Sequence, residues 1–141
     1  MKKDNSKVEN VALRWLRYSN SDVALALRLI NSEPSAPAHA CWLCQQTAEK
    51  AIKAALVLEE IRFPRTHDLD TLLDMLPEGW AVKNEHKDLY ELTAWTVNAR
   101  YPGDWPEPTR EDAVGAESAA RSVYDSVTAE FERRGIPVKF G

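Results

Sequence analysis

Cys44-Gln45-Gln46-Thr47-Ala48-Glu49-Lys50-Ala51-Ile52-Lys53-Ala54 sets apolar and polar residues at the spacing of an α-helix. The pattern continues on both sides and gives a helix over residues 38–60, with Cys41, Cys44, Ala48, Ile52, Ala55 and Leu58 inward. Its other side carries Gln46, Glu49, Lys50 and Lys53, and Glu49 stands one turn before Lys53 in the favourable order.

Working outward, Ser32-Glu33-Pro34-Ser35-Ala36-Pro37 interrupts the chain, because proline lacks a donor and restrains its predecessor. Before that break, residues 8–31 repeat the helical period, with Val11, Trp15, Tyr18, Ala26 and Leu29 on the expected stripe. After the central helix, Phe63-Pro64-Arg65-Thr66-His67 reads as a loop. A short helix over residues 68–76 follows and ends at Pro77-Glu78-Gly79. Another long helix is expected from residue 84 to 99 or 100, stopping at Tyr101-Pro102-Gly103-Asp104. Thr109 opens the last helix and approximates a capping box with Asp112. Its stripe is Ala113, Ala116, Ala120, Val123, Tyr124, Val127 and Phe131. Gly135 ends it, leaving residues 135–141 as a tail outside a core of about 8–134. Strand-like alternation, repeats and linkers are missing. The expectation is one all-α domain over 1–141, an antiparallel four-helix up-and-down bundle with an additional short helix.

A chain of 141 residues buries roughly two thirds of its unfolded surface without metals or disulfides. Five Trp are many for this length and favour a bundle core or a partner surface. The net charge of −4 gives no global basic field, so there is no strong nucleic-acid signal. No apolar run is long enough to span a membrane, and the polar start of the chain is unlike an export signal. With Cys41 and Cys44 as the only cysteines, reduced core thiols and a cytoplasmic protein are expected.

Charged and polar residues inside apolar stripes are the most informative positions. Asp22 lies between Trp15 and Leu29, and Arg100 continues the line of Leu89, Leu92 and Thr96. Gln45 falls between Ile52 and Leu56, and Glu117 flanks Tyr124. Burying an unpaired charge costs several kcal/mol, so these groups should pair or line a cleft. Either a structural Asp22–Arg100 pair or a polar groove for a phosphate satisfies that requirement. Cys41-Trp42-Leu43-Cys44 has the spacing of half a redox or zinc motif, but it sits within a helix and lacks a second pair. Phosphate-loop, nucleophile-elbow and zinc-protease patterns do not occur, and neither metal nor cofactor is expected.

Taken as a set, these residues resemble the HEPN family. Trp15 then Asp22, the Gln45-Gln46…Glu49-Lys50…Lys53-Ala54 helix, Thr66-His67-Asp68-Leu69 and Ala99-Arg100-Tyr101-Pro102 follow its pattern over about residues 8–132. The resemblance implies a helical bundle that usually forms homodimers, similar to the helical domain of the kanamycin nucleotidyltransferase. It also implies the two-component, often toxin–antitoxin, complexes that small HEPN proteins form with a minimal nucleotidyltransferase. Other members are metal-independent ribonucleases with an R-x(4–6)-H motif. Here Arg100 takes the place of that Arg, but Trp105, Pro106 and Glu107 stand where the His belongs. A second R-x4-H match, Arg62 and His67, lies in the loop after the central helix.

The reading that follows is a non-catalytic HEPN module, a homodimeric partner of a minimal nucleotidyltransferase with a nucleotide-binding groove. Asp22, Gln46, Glu49, Lys50, Lys53, Arg100 and Tyr101 are expected to line the groove. Lys50, Lys53 and Arg100 would meet phosphates there, and Tyr101 would stack on a base. The alternatives are a ribonuclease toxin using Arg62, His67 and Arg100, and a pure dimerisation module.

Overall fold

A computed structural model describes residues 5–86 and 89–140. Across them the chain forms six helices and no strand: α1 (Ser6–Asn31), α2 (Pro37–Leu58), α3 (Leu69–Asp74), α4 (Ala81–Glu85), α5 (Tyr90–Asn98) and α6 (Arg110–Arg133).

The centre of the bundle is α2, which is buried on nearly every side. Ala40, Cys41, Cys44, Ala48, Ala51, Ala54 and Ala55 are fully buried, and these small side chains let α1 and α6 approach its backbone closely. The Ser19 hydroxyl donates to the Thr47 carbonyl at 2.7 Å, and Trp15 lies beside Lys53, so α1 and α2 run antiparallel. Burial pushes the Cys41 and Cys44 thiols up to about 12, which makes them inert core groups at neutral pH.

The buried stripe of α1 departs from expectation. It consists of Ala12, Leu16, Ser19, Val23, Ala26 and Ile30, with only Ala26 shared. Val11 and Tyr18 are exposed instead, at 42% and 49%. The two apolar lines lie side by side on one helix. The small residues of the first fit against α2, while the second is divided: Trp15 and Leu29 pack half-buried on the core and Val11 and Tyr18 face outward.

The helix expected from residue 84 to 99 or 100 is two helices. The backbone leaves helical geometry at His86 (φ −129°, ψ 89°), which caps α4, and residues 87 and 88 lie outside the described chain. At the start of α5 the Leu89 N–H donates to the Asp70 carboxylate at 3.0 Å. The Leu69 N–H in turn donates to the Thr93 hydroxyl at 3.1 Å. These bonds tie the beginnings of α3 and α5 together. The final helix matches its sequence reading, with a complete Thr109–Asp112 capping box and the whole expected stripe buried. Gly135 turns the chain in the left-handed region (φ 83°). The segment after it is no loose tail, for Ile136 is buried and Val138 and Phe140 pack on the core. Among the described residues, no helix is long and apolar enough to cross a membrane.

Candidate functional site

One face of α2 carries Trp42, Gln46, Glu49 and Lys53 at i, i+4, i+7 and i+11, a line about 17 Å long. At its middle, the buried Glu49 carboxylate accepts from three side chains. Gln45 Nε2 and His67 Nδ1 share Oε1 at 3.1 and 2.8 Å, and Lys53 Nζ reaches Oε2 at 2.9 Å. Burial pushes the Glu49 carboxyl up, but the hydrogen bonds from Lys53, His67 and Gln45 outweigh this and hold it below its ordinary range. Gln45 also donates to the His67 carbonyl at 3.1 Å and accepts from Gln46 at 2.7 Å, so every polar atom of this fully buried side chain has a partner.

This network fixes the loop after α2. His67 is anchored through its carbonyl and its ring, yet its side chain remains 56% exposed. The Glu49 carboxylate orients the ring through Nδ1, and the opposite, Nε2 edge has no hydrogen bond among the described residues. Lys53 lies 5.3 Å from the Phe63 ring centre and 5.8 Å from that of Trp15, so its charge is held between the carboxylate and two aromatic faces. Beyond His67, Asp68 caps α3 by accepting from Asp70 N–H and Thr71 N–H.

A cleft of about 420 Å³ opens at the other end of the α2 line. Its walls are the start of α2, with His39, and the turn after α5, with Arg100, Tyr101 and Trp105. The Trp105 indole N–H donates to the Asn98 carbonyl at 2.9 Å and draws the turn over the cleft. The Arg100 guanidinium lies 5.4 Å from the Trp42 ring centre and 5.2 Å from that of Tyr101. Among the described residues it has no carboxylate partner. The start of α2 has no side-chain cap, so its positive end adds to this field.

The expected Asp22–Arg100 pair does not form. Asp22 pairs with Lys50 at 2.6 Å, joining α1 to the middle of α2, while Arg100 is exposed beside Trp42 about two turns away along α2. Helical periodicity gives each residue a direction around its own helix, but neither its level in the bundle nor its neighbour. The seven residues expected in one groove therefore occupy three places. Arg100 and Tyr101 border the cleft, Gln46, Glu49 and Lys53 belong to the buried network, and Asp22 and Lys50 form a separate pair. Arg62 lies exposed in the loop that also holds His67. Sequence reasoning misses the joining role of Trp42, which stands out there only as part of a cysteine spacing. Its place on the line of Gln46, Glu49 and Lys53 is the available signal. Glu117 pairs with Arg121 at 3.0 Å, and the His86 ring meets the Ser122 hydroxyl at 3.0 Å.

Comparison with known proteins adds two matches. The HEPN domain family model matches residues 12–131. The crystal structure of the protein TT1696 from Thermus thermophilus is similar, with a TM-score of 0.68 and 25% identity over 82% of this chain and 94% of that one. No curated protein matches the sequence.

Proposed function

The chain belongs to the HEPN family, and from that premise we propose a non-catalytic module whose Arg100–Tyr101 cleft binds a nucleotide. The observation that carries the reading is an Arg100 guanidinium that has no carboxylate partner among the described residues, held between Trp42 and Tyr101 at the edge of a 420 Å³ cleft. A guanidinium in that position offers paired N–H donors to a phosphate, and Tyr101 and Trp105 offer aromatic surface to a base. The cleft volume lies in the range of small-molecule sites. The same reading makes the domain one half of a two-component complex with a minimal nucleotidyltransferase, as the family resemblance implies. Asp22, Lys50, Gln46, Glu49 and Lys53 then act as framework rather than as ligand contacts.

Titrating ATP while following tryptophan fluorescence tests the cleft. Saturable quenching is expected, with Arg100→Ala weakening affinity about tenfold or more, the loss of one charge-assisted bidentate contact. Absence of any change up to millimolar ATP would remove the nucleotide from this account. Coexpression with a minimal nucleotidyltransferase from the same genome tests the partnership, which a failure to copurify would count against.

One observation favours the ribonuclease alternative. Glu49 holds the exposed His67 ring at 2.8 Å, and Arg62 of the same loop has no ion pair among the described residues. Metal-independent cleavage of single-stranded RNA that disappears in His67→Ala would establish that reading in place of the first.

A further inference from the structure

Beside its buried stripe α1 carries a second line that the fold covers only in part, with Trp15 and Leu29 packed on the core and Val11, Tyr18 and Leu25 exposed. Val11, Trp15, Tyr18, Asp22, Leu25 and Leu29 follow one another at spacings of four, three, four, three and four residues, the alternation of a helix–helix interface. Val11, Tyr18 and Leu25 are exposed at 42%, 49% and 40%. Val11, Arg14, Trp15 and Tyr18 enclose a groove of about 230 Å³. The one polar position, Asp22, is neutralised by Lys50 within the fold.

Charge decides what this seam fits. The chain carries a net charge of −4, yet the exposed charged residues of α1 are all cations: Lys7, Arg14, Arg17 and Arg28. Arg14 and Arg17 also draw the Tyr18 phenol below its ordinary range, a sign of the local positive field. Two copies of the chain meeting through α1 would set these cations against one another, so a self-pairing face is disfavoured. Stacked nucleic-acid bases are disfavoured too. The Tyr18 ring already has Arg17 at 5.9 Å, and Trp15 packs edge-on against Phe63 with Lys53 at 5.8 Å. Val11 and Leu25 offer aliphatic bulk, which serves knobs-into-holes packing and not stacking.

We propose that the outer face of α1 docks an amphipathic helix of a partner protein, with an apolar stripe flanked by Asp and Glu. The partner's apolar residues would enter the groove at Val11, Trp15 and Tyr18, and its carboxylates would meet Arg14, Arg17 and Arg28. The groove at Val11, Trp15 and Tyr18 lies beside the later turns of α2, whereas the Arg100 cleft opens at its start, so this inference does not depend on the nucleotide reading.

The test uses the full chain and a fluorescein-labelled synthetic peptide of about three heptads, with Leu at the seam positions and Glu beside them. Fluorescence anisotropy should show saturable binding that weakens as salt rises. The double variant Arg14→Glu with Arg17→Glu should weaken it roughly tenfold or more, and Tyr18→Glu should do likewise. These side chains are exposed, so circular dichroism should show intact helices in each variant. A peptide with Lys in place of Glu should not bind. Equal binding of both peptides, or none of either, would overturn the proposal. So would a dimer of the chain that Tyr18→Glu converts to monomer, which would assign the face to a second copy. Binding of oligo-U RNA that the arginine variants abolish, with no peptide binding, would assign it to nucleic acid instead.

Discussion

Glu49 is buried with three donors on its two oxygens, and each donor needs it for a different reason. Lys53 is 8% exposed and relies on this carboxylate for its compensating charge. Gln45 and His67 rely on it to satisfy a buried amide and to orient a ring. Glu49→Ala should therefore cost about 3–5 kcal/mol in urea denaturation, the usual result of stranding a buried charge. Glu49→Gln keeps the shape and should cost less. His67→Ala, on an exposed ring, should cost only about 1 kcal/mol. The acid limb of stability follows from the same bonds. The folded-state pKa of Glu49 lies below the ordinary 4.5, so its contribution is complete above about that pH and is lost as pH falls through the lower folded value. Glu49→Gln should flatten this limb in melts recorded between neutral and acid pH. A limb of unchanged steepness would place the acid-sensitive group elsewhere. The i, i+4 pairing of Glu49 with Lys53 is readable from the sequence, but their burial is not. It depends on residues 61–68 folding back across the polar side of α2, where the His67 carbonyl receives Gln45. No helical period encodes that return.

At the scale of elements, legibility follows how completely each helix satisfies its own ends and faces. The last helix has a reciprocal cap and one apolar stripe, and both features are plain in the sequence. Thr109→Ala should cost about 1 kcal/mol, measured as a lowered denaturation midpoint at unchanged slope. The central helix is legible in place and extent, because proline opens it and its apolar spacing is regular. Its burial on the second side is hidden, since Ala, Thr and Gln carry weak hydropathy and become core only when other helices close over them. That closeness makes it intolerant of volume. Ala48→Leu, at a fully buried position, should lose about 1–3 kcal/mol through overpacking. A neutral result would mean that α1 and α6 can separate without loss. In α1 the larger side chains mark the wrong line. Periodicity detects an apolar stripe, but it does not say whether a second copy, a partner or the domain's own core will cover it. The break between α4 and α5 is invisible for another reason. It is marked by side-chain bonds from Asp70 and Thr93 across the bundle, and not by a local proline or glycine.

For the whole molecule, the distribution of charge bears on association more than its sum does. Self-pairing through α1 sets Lys7, Arg14, Arg17 and Arg28 against their own copies, so the homodimer that the HEPN resemblance implies should use another side. Exposed apolar side chains are available there, at Val97 of α5 and Val114 of α6. Between these helices runs a groove of about 250 Å³ bordered by Leu92, Trp95, Gly115 and Ala119. A two-fold contact on this side would also bring Glu91 and Glu111 near their own copies. Added salt should therefore strengthen association by screening like charges, the reverse of its effect on an acidic peptide at α1. Light scattering at micromolar concentration should give about twice the 15.9 kDa chain mass. Val97→Glu with Val114→Glu should shift the population toward monomer, while Tyr18→Glu should leave the mass unchanged. A monomer at every accessible concentration and salt would remove the homodimer, leaving the cleft and the α1 seam to be judged by their own experiments.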